Sequence, residues 1–497
     1  MSQVINDTNS KALQVHFLAE QAVKNHANKA LFRQLKFAGQ YKQAALVLEQ
    51  NSLFIGLSFK PVAKNADPFC KVQWYEVGAK IANTLEGTKI KTIELTKPAG
   101  SFGAEDLQRL ALGIMQAGWH YDKYLDNKKA KTKHYTIYLD SFMQKLAKDS
   151  LIKEIEALDD AMRLTRTIVN EPPEDLNPHT VAKLVEAEFK PFKNVIVKIL
   201  GEQQLESLGM QGVMFVGRAS RYQPRLVHVT LKPSGKVKNR ICLIGKGITY
   251  DSGGLDIKTD QHMKTMKMDM AGGATMFGVA KALAQLGLKN TELHWLSAFA
   301  ENMIGPDSYK ADDVITTYSG QTVEVYNTDA EGRLTLADVL SYATTFKPDY
   351  IVDAATLTGA AIGAVSERFT ALMGNDAKLI DSLLDTFRAE GEYTLYTPMP
   401  ESLREEVAGD ISDLINTSKL DRMAGHITAG LFLSHFVNQN NFRNPDIRLG
   451  KPQDYPWVHL DIAGSAFNNS KNGLETNGAT GQSVRSLAAW VQQIDQD

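Results

Sequence analysis

The sequence predicts an α/β protein of two domains. A smaller N-terminal α/β domain spans residues 1–147, a linker helix spans 148–172, and a larger C-terminal domain spans 173–497 with a mostly parallel or mixed central sheet flanked by helices. Three observations lead there. The chain has 497 residues, and a domain usually holds ~100–200, so about two to four are expected. Short β-type runs alternate with helix-type stretches through the second two-thirds of the chain, the pattern of a sheet covered on both faces. One long helical pattern without Gly or Pro then breaks at prolines, as a connector does.

Taken in order, the N-terminal region mixes short strands, at Leu53–Leu57 and Thr136–Leu139, with an amphipathic helix at Leu107–Ala117. It shows no catalytic signature. The connector is KDSLIKEIEALDDAMRLTRTIV, Lys148–Val169, stopped by NEPPEDLNP. Beyond it, strands are expected at Asn194–Ile199, Ile241–Ile244, His294–Phe299, Tyr350–Asp353 and Val458–Asp461, with helices at Ala271–Leu286 and Leu334–Thr344. Ligands of such sheets bind beyond the carboxyl ends of the strands. The stretch NTDAEGR, after the β-type run VEVY, is expected at one such end.

Bulk properties exclude several classes. Hydrophobic residues make up 43% of the chain and the net charge is −2 at pH 7. That balance gives no support for a general nucleic-acid or membrane binder. The two cysteines, Cys70 and Cys242, stand far apart without a CxxC spacing, and read as small buried hydrophobes of a reducing compartment. The start, MSQVINDTNSK, has neither a basic nor an apolar leader segment. No apolar run reaches the ~18–20 residues that span a bilayer. A cytoplasmic protein is expected.

Two acidic clusters stand out. The first is ICLIGKGITYDSGGLDIKTDQHMKTMKMDMAGGA, holding Lys246, Asp251, Lys258 and Asp269. The second is NTDAEGRL, holding Asp329, Glu331 and Arg333. Each residue has an ordinary structural reading. Asp269 suits a helix N-cap, Asp251 a turn, and Asp329 and Glu331 a helix dipole. Lys246 and Lys258 suit solvent, and Arg333 suits a salt bridge. Together the pattern says more. Four carboxylates in one pocket cannot all stay ionised without cations. Two divalent ions with oxygen-rich ligation resolve the conflict, and a buried lysine that loses its proton adds a neutral amine ligand. Other chemistries lack their signatures: the eleven histidines form no HExxH, and there is no GxSxG, Walker or GxGxxG motif.

These residues resemble the leucyl aminopeptidase family, the dinuclear cytosol aminopeptidases. NTDAEGRL, Asn327–Leu334, is similar to the family signature. GKGITYDSGG, MKMDM, AEN at Ala300–Asn302, DAATLTGA at Asp353–Ala360, DISDLINT, the segment Ala424–Leu433, WVHLDIAG at Trp457–Gly464 and the final TGQSVRSL follow in the family's order. The resemblance covers roughly residues 165 to 490. Ala311-Asp312 departs from a frequent Pro-Gly turn, and Thr259 stands where Pro is common.

The resemblance implies a metal-dependent aminopeptidase with a preference for leucine-like N-termini. Asp251 and Glu331 would bridge two ions, Mn²⁺, Zn²⁺ or Mg²⁺. Lys246 and Asp269 would complete one site and Asp329 the other. Lys258 would meet the substrate carbonyl or oxyanion. Arg333 would hold a bicarbonate that takes up the proton, since a guanidinium is itself a poor base. Met266, Thr356 and Gly359 would line the substrate side-chain pocket. Two cations roughly 3.5–4 Å apart can acidify a bridging water and stabilise an oxyanion. The resemblance also implies peptide substrates and a homohexamer. A two-metal phosphoesterase and a non-catalytic DNA-binding or structural protein are the alternatives. A salt-dependent DNA shift would reveal the latter.

Overall fold

The computed structural model describes residues 1–57, 72–98, 101–126, 128–420, 423–447, 451–469 and 477–496. Cys70 lies outside the described residues, whereas Cys242 is a buried free thiol. The chain divides into two compact units. The first is Met1–Arg163 with Arg388–Gly391 and Asn468–Gly478, and the second takes the rest of the chain from Leu164. The helix Asp149–Asn170 contains the boundary and ends just before Pro172 and Pro173.

The first unit holds a six-stranded sheet. Its order is Gln3–Ile5, Thr136–Leu139, Thr92–Leu95, Leu13–Leu18, Ser52–Gly56, Ala44–Val47. Every pair is parallel except the last, where Ala44–Val47 runs antiparallel at the edge. The helices Val72–Leu85 and Ala104–Ala117 pack on each other.

The second unit is built on a larger mixed sheet. Four strands form its parallel centre: Trp457–Asp461, Tyr350–Ala355, Asn239–Gly245 and Thr291–Asn302. Antiparallel strands flank it, with Arg225–Leu231 beside Thr291–Asn302 and Thr370–Gly374 beside Trp457–Asp461. Val195–Leu200 closes one edge. The five strands expected from sequence are all present, within three residues at each end. Arg225–Leu231, Gly247–Asp251, Thr370–Gly374 and Thr394–Tyr396 are additional. Gly247–Asp251 is short and glycine-led, so its sequence reads as a turn; pairing with the end of Thr291–Asn302 makes it a strand.

Strand side chains alternate between the two faces. Cys242, Ile244, Leu296 and Ala298 join the core beneath the helix Glu331–Thr344, with its Leu334, Ala337 and Leu340. On the other face Phe277, from the helix Ala271–Leu286, stacks on Trp295 at 4.8 Å between ring centroids. One expectation needs correction. The β-type run before NTDAEGR does not belong to the central sheet. It forms Thr322–Glu324, the middle strand of a separate three-stranded sheet with Val314–Thr316 and Leu414–Ile415. Local sequence shows a strand but not which sheet it joins, because the partner lies about ninety residues away in the chain.

Candidate metal centre

Four strands of the second unit deliver functional groups at their carboxyl ends. Lys246 follows Asn239–Gly245, Thr356 follows Tyr350–Ala355, Asp251 closes Gly247–Asp251, and Asn302 closes Thr291–Asn302. Lys246 is buried. Its Nζ lies 2.8 Å from Asp269 and 2.8 Å from Glu331, and donates to the Thr356 carbonyl at 2.9 Å. Gly332 makes this approach possible: a Cβ there would stand 2.5 Å from Lys246 Cε.

Lys258 performs the matching task on the other side. Its Nζ lies 2.8 Å from Asp251 Oδ2 and also pairs with Asp329. The chain reaches Lys258 by turning sharply through Gly253 and Gly254, with φ of +86° and +65°. Asp251, Asp329 and Glu331 thereby bring one carboxylate oxygen each within 4.8 Å of one another. Each ammonium group thus sits between two carboxylates that repel.

The ordinary structural readings fail at Asp269, Lys246 and Arg333, whereas Glu331 does open the helix Glu331–Thr344, as the dipole reading expects. Asp269 does not cap the following helix, whose N-cap is Met270 without a side-chain bond. Instead Asp269 lies in the 3₁₀ turn Met266–Met270 and faces Lys246 and Thr356, whose hydroxyl donates to it at 2.8 Å. Lys246 is not a solvated charge. Among the described residues Arg333 makes no salt bridge; its Nη1 donates to the Asn416 carbonyl and its buried Nε has no acceptor. The turn reading of Asp251 holds in part, since Gly253 N–H donates to its Oδ1 at 2.9 Å.

Burial and charge displace the titrations. Burial works against the Lys246 ammonium, but Asp269, Glu331 and Asp251 outweigh it and hold its pKa above the ordinary lysine value. Lys258 shows the same contest and outcome, through Asp251, Glu331 and Asp329. Burial drives the Asp269 carboxyl well above its usual range, against Lys246. Burial and Asp251 push Asp329 up to about 7, with Lys258 opposing. Burial lowers the Arg333 guanidinium to about 10, while Glu331 and Asp461 support its charge.

This donor set suits divalent cations. Asp269 Oδ2 and Glu331 Oε1 are buried and each lie 2.8 Å from the Lys246 ammonium, and Asp329 Oδ1 is buried against that of Lys258. Buried carboxylates that outnumber the cations beside them are costly. Cations at their centre supply what the two lysines cannot, because four carboxylates against two ammonium groups leave an excess of negative charge.

The three residues expected to line the substrate pocket stand in different settings. Met266 is half-buried and opens the 3₁₀ turn that carries Asp269. Thr356 is bonded to Asp269. Gly359 is exposed at the start of Gly359–Val365, with open space where a Cβ would project. Asp312, where a glycine is frequent, takes a φ of +73°. An aspartate tolerates that region better than most residues. Residues without a predicted role also contribute. Asp461 accepts from Leu357 N–H at 3.2 Å and Thr358 Oγ1 at 2.7 Å. Asn327 accepts from Asp329 N–H at 2.6 Å, and Asn416 accepts from Tyr326 N–H at 2.8 Å. Asn327 stands inside NTDAEGRL, Asn416 inside DISDLINT and Asp461 inside WVHLDIAG, so the resemblance marked their segments but not their roles.

Known proteins are similar to this chain in sequence and fold. Residues 163–488 match the cytosol aminopeptidase family, catalytic domain. A probable cytosol aminopeptidase of Campylobacter jejuni is 38% identical over 416 residues, 83% of either chain. Among solved structures, a mutant of tomato leucine aminopeptidase superposes with a TM-score of 0.85 at 26% identity, covering 99% of this chain and 97% of that one. The bottromycin maturation enzyme BotP in complex with Mn gives 0.81 at 27% identity, covering 97% of this chain and 99% of that one. Fold and relatives together define the class, a metal-dependent aminopeptidase, hence a peptidase hydrolase. The chain belongs to the cytosol aminopeptidase family.

Proposed function

We propose that this chain releases leucine-like residues from the N-termini of peptides, using two divalent ions, Mn²⁺ or Zn²⁺ or else Mg²⁺, held by Lys246, Asp251, Asp269, Asp329 and Glu331. The observation that carries this reading is the convergence of Asp251, Asp329 and Glu331 oxygens within 4.8 Å. When bound, such ions polarise a peptide carbonyl and acidify water at neutral pH. The chain's own groups do the rest. Lys258 places a positive charge where the tetrahedral oxyanion develops. Arg333, charged at neutral pH, holds a bicarbonate that collects the proton. Met266, Thr356 and Gly359 border the side-chain pocket, where a flexible thioether accommodates a leucine side chain. An acetylated N-terminus lacks the basic amine that the carboxylate-rich centre favours.

The same reading covers organisation. Residues 173–497 form the catalytic domain, 148–172 the linker helix, and 1–147 a domain that serves a cytoplasmic homohexamer. No helix among the described residues is long and apolar enough to cross a membrane.

The test is hydrolysis of a leucine anilide by chelator-stripped protein, with Mn²⁺ or Zn²⁺ added back, beside an N-acetylated control and a phosphate ester. Metal-restored cleavage of the free amine substrate alone is expected. Cleavage of the phosphate ester instead, or no cleavage with any metal, would overturn it.

A further inference from the structure

Two buried side chains outside the predicted set tie the halves of the metal centre together. Asn302 ends the strand Thr291–Asn302 and is fully buried. Its Nδ2 donates to Asp251 Oδ1 at 2.8 Å and to the Thr328 carbonyl at 3.0 Å. One amide NH₂ carries two hydrogens, so a single side chain serves both acceptors. The phenol of Tyr309, also buried, donates to the same Thr328 carbonyl at 2.6 Å.

That carbonyl belongs to the peptide unit that leads into Asp329. The N–H of the same unit donates to Asn327 Oδ1. The Thr328 side chain is held as well, donating to the Gly253 carbonyl at 2.6 Å. The peptide plane before Asp329 is therefore fixed at both its polar ends, and the direction of the Asp329 side chain follows from it. On the opposite side, Asp251 Oδ1 is occupied by Asn302 and by Gly253 N–H, which leaves Oδ2 facing Lys258. Lys258 offsets the repulsion between the two carboxylates, and the Asn302 tie adds a fixed direction to groups that come from segments almost eighty residues apart in the chain.

We propose that Asn302 and Tyr309 are positioning residues that hold Asp251 and Asp329 at the spacing a pair of divalent ions requires. This rests on the two-ion reading above. They touch neither ion nor substrate. Asn302 acts through the Asp251 carboxylate and the Thr328–Asp329 peptide, and Tyr309 acts through that peptide alone. Partners that orient metal ligands typically change metal affinity by roughly 10–100-fold when removed. Asn302→Ala, which frees both halves, is expected at the upper end and Tyr309→Phe, which removes one hydroxyl, at the lower.

The experiment is a calorimetric titration of chelator-stripped full-length protein with Mn²⁺, for the wild type, Asn302→Ala, Asn302→Asp and Tyr309→Phe, with the metal-free thermal midpoint of each. The wild type is expected to take up two ions. The variants should weaken the lower-affinity step in the order Tyr309→Phe, then Asn302→Ala, at near-constant metal-free midpoints. Asn302→Asp keeps the shape but loses both donors, so it should not rescue. Both Mn²⁺ steps staying within twofold of wild type in Asn302→Ala and Tyr309→Phe would overturn the proposal. So would weakening of both steps in proportion to a lowered metal-free midpoint, the mark of a purely structural role. If Asn302→Ala does not fold, Tyr309→Phe decides by the same criteria. A wild type that takes up no second ion overturns the two-ion reading itself, and the proposal with it.

Discussion

In the N-terminal unit the strands Leu13–Leu18, Ser52–Gly56 and Thr92–Leu95 finish on apolar residues or glycine. In the C-terminal unit the corresponding ends run into Lys246, Asp251, Asn302 and Thr356. Both are α/β sheets with parallel centres, and both place a carboxylate after a strand. In the first unit that carboxylate is Asp140, and the backbone consumes it: it accepts from Phe142 N–H, Met143 N–H and Lys97 N–H. In the second unit Asp269, Asp329 and Glu331 retain buried oxygens that no backbone donor reaches among the described residues. The architecture is shared and the chemistry is not, so function resides in which carboxylates the fold turns towards other side chains and not towards its own backbone.

Mutations can break that comparison. The largest effect is expected for Glu331→Gln, which keeps shape but removes a shared carboxylate. Peptide hydrolysis should fall to background and bound metal, read by elemental analysis, should drop; full activity would place the chemistry elsewhere. Lys258→Ala comes next, with kcat expected to fall roughly 100–1,000-fold while KM changes less, the pattern for a group that acts on developing charge. Steady-state kinetics on a leucine anilide separates the two constants.

A smaller effect is expected away from the centre, on the antiparallel flank of the same sheet. His228 Nε2 lies 2.9 Å from His294 Nδ1, and His294 reaches Glu292 at 3.1 Å. Burial, with His294, Lys198 and Lys232 nearby, lowers His228 from 6.5 to about 3, against Glu292. The folded protein therefore keeps this imidazole neutral where the unfolded chain protonates it. The stability that His228 contributes should be fully present above pH 6.5 and be lost as pH falls from there towards about 3. Urea midpoints at pH 7 and pH 5 check this, and His228→Gln should flatten the dependence. The smallest effect is expected for Asp140→Ala, which loses a helix cap for about 1 kcal/mol of stability. Its hydrolysis rate should equal wild type; a large loss of activity would mean that the first unit is not the silent partner its strand ends suggest.

Much of the site was legible before any fold was known. Lys246, Asp251, Lys258, Asp269, Asp329, Glu331 and Arg333 stand beside Gly253, Gly254 and Gly332 because side chains that crowd one point need a backbone able to turn and to lie close. The strand order of the second unit followed less directly. Its central strands were visible as apolar runs, but Gly247–Asp251 was masked by the glycine that opens it and the aspartate that closes it. The sheet that receives Thr322–Glu324 was hidden, since Leu414 is its partner. Asp269 read as a helix cap for the same reason: the cap pattern is local, whereas Lys246 lies 23 residues away.

The sequence by itself determined the two-unit α/β plan, the acidic and basic side chains available for chemistry, and the glycines that let them gather. Only the tertiary structure decided that Asp251 and Asp329 meet, that Lys246 and Lys258 each stand between two carboxylates, and that Asn302 bonds to both halves. The reason is range. Helix and strand preferences, turns and caps act over a few neighbouring residues, but a pocket built from repelling carboxylates forms only where the packing of a whole sheet overrides that repulsion.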